Sequence, residues 1–284
     1  MIAYFISPHG FGHAARAAGV MEAVQQLDPA IQFEIYTTVP KWFFEDSHLN
    51  PFRYHSLRTD IGLIQETPFQ EDLKETIRCL NDFFPLNHSD IGQLSQQIKD
   101  QQCKLVVSDI SPIGIPVAKE AGVPSVLVEN FTWDWIYAGY PDGDPKMERH
   151  IDYLRQVYAA ADFHVQTEPV CRPMPVNLVT NPVSRRFRIP KSRVRERLGI
   201  SCNSKVILIT MGGIPEKLDF PDKLKTLGDT VFIVPGMSKA TERQGNVVCL
   251  SFRSGFYHPD LVNASDAVVG KAGYSTLSEV YYAG

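Results

Sequence analysis

Short apolar runs rich in β-branched and aromatic residues alternate along this chain with longer stretches of helical spacing. Strand-like runs stand at Ile2–Ile6, Ile31–Tyr36, Phe52–Ser56, Leu105–Ser108 and Ser125–Val128. Between them, His13–Leu27, about 71–101 and Pro112–Ala121 repeat their apolar positions every three to four residues. Gly122, Val123 and Pro124 stop the last of these helices and turn into the next strand. Asp152–Ala161 reads as a further helix and Phe163–Gln166 as a further strand. Alternation of this kind predicts an α/β fold built on a parallel sheet.

The character changes at NPVSRRFRIPKSRVRERLGI (181–200), which carries two prolines and a cluster of arginines before a short helix ending at Gly199. The expectation is a lobe over 1–182, a linker over 183–200 with its arginines on a solvated face, and a second lobe over 201–284. In that second half Lys205–Met211, Thr230–Val234, Val247–Leu250 and Ala267–Val269 read as strands. If they are wound in the order 3-2-1-4-5-6, the fifth and sixth strands are absent and Ala267–Val269 is left at an edge. With an apolar helical stretch running up to Gly284, the second lobe is expected to be truncated.

One signal occurs twice. IAYFISPHGFGHAARA (2–17) and DAVVGKAGYSTLSEV (266–280) each predict a strand, a glycine-bearing turn and a helix. Such a junction aims backbone N–H groups and a positive helix end at the tip of a strand, where a phosphate or another anion can sit. Two of them predict two Rossmann-like lobes facing across a cleft.

Composition narrows the class. At 284 residues with 44% apolar and 21% charged side chains, the chain suits one or two globular domains. A net charge of −4 gives no general attraction to nucleic acid or an acidic membrane. Five cysteines, an odd number without a C-x-x-C pair, fit a reducing, cytoplasmic compartment. The chain opens on a strand rather than a basic and apolar leader, so no signal peptide is expected. No apolar run approaches the roughly 18–20 residues of a membrane span.

The candidate chemistry sits at predicted strand ends. The first turn holds His9, Gly10, Gly12 and His13. Glycine admits close approach of a ligand, and a histidine there can act as a general base near neutral pH. His9 and His13 are four apart, but no third ligand is evident and no metal is expected. Arg16, one turn on, is either an anion contact or a surface arginine. Asp109 ends the strand Leu105–Ser108 and either orients a histidine or caps a turn. ENFTWDWIY (129–137) follows the next strand, and Asn130, Trp133, Asp134 and Trp135 there suit a carbohydrate-facing rim as well as ordinary packing. In the second half Gly212 and Gly213 follow a strand. Gly273, Ser275 and Thr276 open the last helix as N–H and hydroxyl donors, and Glu279 lies one turn further, where a carboxylate can take two ribose hydroxyls.

Taken together, HGFGHAAR (9–16), NFTWDWIY (130–137), VSRRF…SRVRERLGI (183–200), MGG (211–213) and HPDLVNASDAVVGKAGYSTLSE (258–279) resemble the two-lobed GT-B-type glycosyltransferases. The resemblance points to the branch with the bacterial peptidoglycan N-acetylglucosaminyltransferase and the glycosyltransferase-like N-terminal region of plant L-arabinokinase. It implies an acceptor side in the first lobe with a catalytic His13; Asp109 is the candidate partner read from its strand end, with His9, Gly12, Arg16, Asn130, Trp133 and Asp134 expected around them. It implies a donor side in the second, with Gly212, Gly213, Gly273, Ser275 and Thr276 at the diphosphate, Glu279 at the ribose, and Phe252 and Arg253 near the base. The implied reaction is inverting, metal-independent transfer from a UDP-sugar co-substrate to an acceptor hydroxyl, without a further cofactor. The resemblance places the aspartate partner of the histidine nearer Gly114 than Asp109, and puts the donor-sugar loop and a final crossing helix beyond Gly284. A nucleotide-sugar-binding or regulatory domain, as in a sugar-kinase fusion, and a UDP-sugar epimerase of the same fold are the rival readings.

Overall fold

The computed structural model describes the whole chain except residues 50, 68, 69, 141–144, 211–220 and 252. It divides into two compact units, Met1–Val183 and Ser184–Gly284.

In the first unit β1 (Ile2–Ile6), α1 (Gly12–Leu27), β2 (Phe33–Thr37), α2 (Lys41–Asp46) and β3 (Phe52–Ser56) follow one another. A small antiparallel pair, β4 (Gln65–Thr67) and β5 (Gln70–Glu71), leads to α3 (Leu73–Phe83) and α4 (His88–Asp100). Then come β6 (Leu105–Asp109), α5 (Gly114–Ala121), β7 (Ser125–Glu129), α6 (Trp133–Ala138), α7 (Pro145–Ala159), β8 (Phe163–Thr167) and β9 (Leu178–Thr180). The seven long-range strands form one sheet in the order β3-β2-β1-β6-β7-β8-β9, parallel throughout.

Both faces of this sheet are covered, so its central strands are buried on both sides rather than alternating with solvent. Tyr4 and Ile6 point into one layer with Ala14, Ala15, Ala17, Ala18 and Met21 of α1. Ala3 and Phe5 point into the other with Ile91, Leu94 and Ile98 of α4 and Val117 and Ala118 of α5. The alanines let α1 lie close against the sheet, which sets the histidine at its start over the ends of β1 and β6. Gly114 is required by packing: a Cβ there would stand 2.3 Å from the Ser108 hydroxyl and 3.1 Å from Phe5.

The helical stretch expected over about 71–101 is two helices. Asp72 caps the first through the Glu75 N–H (2.9 Å) and Asn87 caps the second through the Ser89 N–H (2.8 Å). Pro85 between them has no N–H to continue a helix. The aromatic run after β7 coils into α6, which turns Trp133 and Tyr137, one helical turn apart, into the core.

The second unit holds α8 (Lys191–Arg197), β10 (Lys205–Thr210), α9 (Pro221–Lys225), β11 (Thr230–Pro235), β12 (Glu242–Gln244), β13 (Val247–Leu250), α10 (His258–Ala264), β14 (Ala267–Gly270) and α11 (Tyr274–Ala283). Its sheet runs β12-β13-β11-β10-β14, with the short β12 antiparallel to β13 and the rest parallel. The four strands read from sequence thus take the order 3-2-1-4, with β14 at the end of the sheet.

Residues 184–200 belong to this unit instead of forming a free linker. Val194, Leu198 and Ile200 are buried in its core with Val206, Leu208, Leu261 and Val262. Nor are all its arginines solvated. Arg195 is buried, donating to the carbonyls of Ala264 (2.9 Å), Cys202 (2.9 Å) and Ser204 (2.9 Å) and pairing with Asp266 (2.9 Å). The Ala264 carbonyl ends α10, and a cation there complements the helix terminus. Arg185 is buried as well. All five cysteines are free thiols. Among the described residues no helix is long and apolar enough to cross a membrane.

Candidate functional site

In the first unit the carboxyl ends of β1 and β6, neighbours in the sheet, bring His13 and Asp109 together. His13 Nδ1 lies 2.9 Å from Asp109 Oδ1, and the aspartate is fully buried. Arg16, one turn along α1, grips the same carboxylate twice: Nε to Oδ2 at 2.8 Å and Nη2 to Oδ1 at 2.6 Å. Its Nη1 donates to Asn130 Oδ1 (2.7 Å) and Thr167 Oγ1 (3.2 Å). Four elements or their ends therefore converge on one buried network.

Electrostatics follow from that geometry. Burial alone would raise the Asp109 carboxyl, but the Arg16 charge and the hydrogen bonds from Arg16 and His13 outweigh it and hold it below the usual carboxylate range. His13 goes down from its ordinary value because burial disfavours the imidazolium, against the hydrogen bond and charge of Asp109 and with help from Arg16. A neutral imidazole with Nδ1–H donated to Asp109 presents the lone pair of Nε2. No hydrogen bond within the described residues occupies that nitrogen.

Other expected residues fall into different places. Arg16 is only 1% exposed, neither a surface arginine nor turned to an incoming anion, because its donors are committed to Asp109, Asn130 and Thr167. Asn130 is consumed by Arg16 in the same way. Trp133 is 2% exposed and packs as a wall behind the site rather than as an open sugar-binding surface. Its ring meets those of His9 (centroids 5.1 Å apart), Phe131 (5.6 Å) and His13 (6.4 Å). Asp134 is buried with Arg155 3.9 Å away. Gly12 is the first residue of α1 and His9 is half-buried. Among the described residues no group of three His, Cys, Asp or Glu side chains is placed to hold a metal ion.

In the second unit Glu279 is buried on α11. Its Oε1 accepts from Arg185 Nη2 (2.9 Å) and Nε (3.3 Å), and its Oε2 meets His258 Nδ1 at 2.6 Å. His258 Nε2 is in turn 3.3 Å from the Thr210 hydroxyl. Burial would raise the glutamate, but the charges of Arg185 and His258 and their hydrogen bonds hold it low. Gly273 caps the start of α11 in extended backbone, and a Cβ there would touch nothing. Ser275 and Thr276 follow in the first turn, Thr276 buried. Arg253 is exposed. Gly212, Gly213 and Phe252 lie outside the described residues.

Sequence reasoning missed Thr167, Arg185 and His258 as members of these clusters, and Asp60, whose Oδ2 accepts the Trp133 indole N–H (3.1 Å). His258 stands at the head of the HPDLVNASDAVVGKAGYSTLSE stretch, so its place beside Glu279 had a signal. Asp60, in the turn-like RTDIG, had none.

The whole chain, residues 1–284, matches the model of glycosyl transferase family 1. The chain belongs to that family. Over 286 aligned residues it is 29% identical to L-arabinokinase of Arabidopsis thaliana, covering 98% of this chain and 27% of the relative. It thus spans about a quarter of that protein's length. Among solved structures it is similar to Arabidopsis thaliana UGT89C1 complexed with UDP (TM-score 0.61, 13% identity, 100% of this chain and 77% of that one). It is similar also to MurG of Acinetobacter baumannii (TM-score 0.52, 16% identity, 100% and 76%). These likenesses establish a GT-B-type fold.

Proposed function

We propose that this family member transfers a sugar from a UDP-sugar to an acceptor hydroxyl with inversion, and that His13 is its base. The observation that carries the reading is the His13–Asp109 contact at the ends of β1 and β6, with Nε2 left open. A base must be unprotonated to act, and burial keeps His13 neutral near pH 7. Asp109 fixes the ring and stabilises the imidazolium once it forms, while Arg16 holds Asp109 ionised.

In the reaction the acceptor oxygen attacks the anomeric carbon and its proton passes to His13 Nε2. The bond from that carbon to the diphosphate oxygen breaks, and UDP leaves. In the second unit the N–H groups at the start of α11 stabilise the leaving diphosphate, a role that requires no metal. The bare Gly273 supports this, since no protein packing demands a glycine there. Glu279 takes the ribose hydroxyls by exchanging one of its present partners, Arg185 or His258. That the UGT89C1 structure holds UDP supports this choice of donor.

The test is UDP release from UDP-glucose and UDP-N-acetylglucosamine with an acceptor panel. His13→Ala is expected to lower turnover by about 10²–10⁴-fold with UDP affinity retained. Unchanged turnover in that variant sinks the assignment. A second reading, a nucleotide-sugar-binding regulatory unit, draws on the match to a quarter of L-arabinokinase. It predicts UDP binding without turnover in any variant or in the parent.

A further inference from the structure

The stretch after β3 lies across the site as a strap. Thr59 Oγ1 donates to the Ile6 carbonyl at the end of β1 (2.7 Å), and Ser111 Oγ donates to the Thr59 carbonyl (3.4 Å). Tyr137 of α6 donates its hydroxyl to the Gly62 carbonyl (2.8 Å). Gly62 has φ +63, and a Cβ there would stand 2.7 Å from His9 Nδ1, so only a bare position lets the strap close on His9.

Between these fastenings Asp60 is 2% exposed. Its Oδ2 accepts the indole N–H of Trp133 at 3.1 Å. Its Oδ1 has no hydrogen bond of ordinary geometry within the described residues. Unlike Asp109, it forms no ion pair with an arginine among the described residues. Burial therefore lifts the Asp60 carboxyl to about 7; the Ser7 hydroxyl and the Trp133 indole pull it down, and the Asp109 charge adds to the rise. The indole it holds is the hub of the wall behind the base, in ring contact with His9, His13, Phe131 and, nearly parallel at 5.9 Å, Tyr137.

We propose that Asp60 is a positioning residue of the acceptor side, its carboxylate fixing the Trp133 indole and through it the His9 and His13 rings. It rests on the reading of His13 as the base. The charged or titratable groups that act on Asp60 are Asp109 from β6, Tyr137 from α6 and Tyr158 from α7, while His9 and His13 meet the Trp133 ring that it holds. Above neutral pH the ionised carboxylate grips the indole strongly; below it the neutral acid grips weakly and the wall loosens.

The experiment needs no substrate. The indole ¹⁵N–¹H signal of Trp133, assigned by its disappearance in Trp133→Phe, is followed through neutral pH, together with the ring signals of His9 and His13. In the parent protein the indole signal is expected to titrate with a midpoint of about 7. The His9 and His13 signals, which feel the Trp133 ring current, are expected to carry the same inflection. Asp60→Asn keeps an oxygen for the indole, so it preserves the fold while removing every one of these inflections. Trp133→Phe removes them from His9 and His13 while leaving Asp60 in place. A Trp133 signal flat through neutral pH overturns the proposal, and so does an inflection that survives in Asp60→Asn. A failure of His13→Ala to slow transfer would instead overturn the base assignment, leaving the Asp60 shifts unaffected.

Discussion

The candidate site of each unit buries a carboxylate between an arginine and a histidine, and these two trios differ in what they leave open. In the first, Asp109 is held by Arg16 and meets His13 Nδ1; in the second, Glu279 is held by Arg185 and meets His258 Nδ1. His13 keeps Nε2 free of any hydrogen bond within the described residues, whereas His258 Nε2 is engaged by Thr210. On the proposed reading the same parts build a base in one place and a brace in the other. A buried histidine beside a carboxylate becomes useful for proton transfer only when its second nitrogen has nothing to do. On the same reading the carboxylate is the working group of the second trio, and the arginine and histidine hold it ready.

The sharpest way to break the comparison is to remove the first carboxylate. Asp109→Ala leaves Arg16 buried without its counter-charge, so stability should fall by about 3–5 kcal/mol. Denaturant unfolding measures it, and a loss under about 1 kcal/mol would mean that Arg16 finds water or another partner. His13→Ala deletes no charge that Arg16 needs, so it should cost far less stability while abolishing the base. In the parent protein the acid limb of transfer against pH should lie below the ordinary histidine value of 6.5, because burial lowers His13.

Much of this arrangement was legible before the structure. The strand–turn–helix at each end of the chain, His13 in the first turn and Asp109 at a strand end follow from periodicity and turn residues, whereas the 3-2-1-4 order in the second half was the condition of a doubly wound sheet, which the structure meets. What stayed hidden was burial of polar groups. Arg185 and Arg195 read as solvated because arginines usually are, and Arg16 read as either an anion contact or a surface residue; all three are buried because each meets a carboxylate or several carbonyls brought from distant strands. The polar and aromatic run around Trp133 left a carbohydrate-facing rim and ordinary packing both open; coiling into α6 turns the ring inward. The resemblance set the aspartate partner nearer Gly114, yet Asp109 is the residue on His13, since Gly114 opens α5 against Phe5 and Ser108. Asp60 was illegible because its neighbours in sequence spell a turn and its partner Trp133 is seventy-three residues away.

The uncompensated carboxyl offers the next contrast with the paired ones. In the unfolded chain Asp60 releases its proton near 3.8, whereas in the fold it holds it to about 7. Between those values the folded state binds more protons than the unfolded one, so this residue makes stability fall as pH rises. The decline amounts to at most about 4 kcal/mol by pH 8. Asp60→Asn should remove it, making the variant gain on the parent as pH rises; parallel stability profiles would show that Asp60 ionises normally. Asp109 and Glu279, both depressed, act with the opposite sign and lend stability that is lost on acidification.

Glu279→Gln tests the brace more gently. The amide keeps an oxygen for Arg185 but loses the charge, at a cost of about 2 kcal/mol in stability. Its NH₂ can no longer accept from His258, and the grip on two ribose hydroxyls weakens. UDP affinity measured by calorimetry should drop about tenfold or more, while the His13 signals stay where they were. Unaltered UDP affinity would confine Glu279 to a structural part and erase the distinction between brace and working carboxylate.

The smallest effect separates glycines kept for packing from those kept for a ligand. Gly114→Ala puts a methyl 2.3 Å from the Ser108 hydroxyl and 3.1 Å from Phe5, in the layer beneath the first site. Relief requires moving β1 or α5, at a cost of about 1–3 kcal/mol. Gly273→Ala meets no atom within 4 Å and sits at φ −79, where alanine is comfortable. Only the weaker capping by alanine counts against it, within about 1 kcal/mol. Its methyl would nonetheless stand where, on the proposed reading, a diphosphate approaches the N–H groups of α11. Gly273→Ala should therefore melt like the parent and bind UDP more weakly, and Gly114→Ala should melt lower and bind UDP as before. If both lose stability alone, the start of α11 is ordinary helix and the donor site lies elsewhere in the second unit.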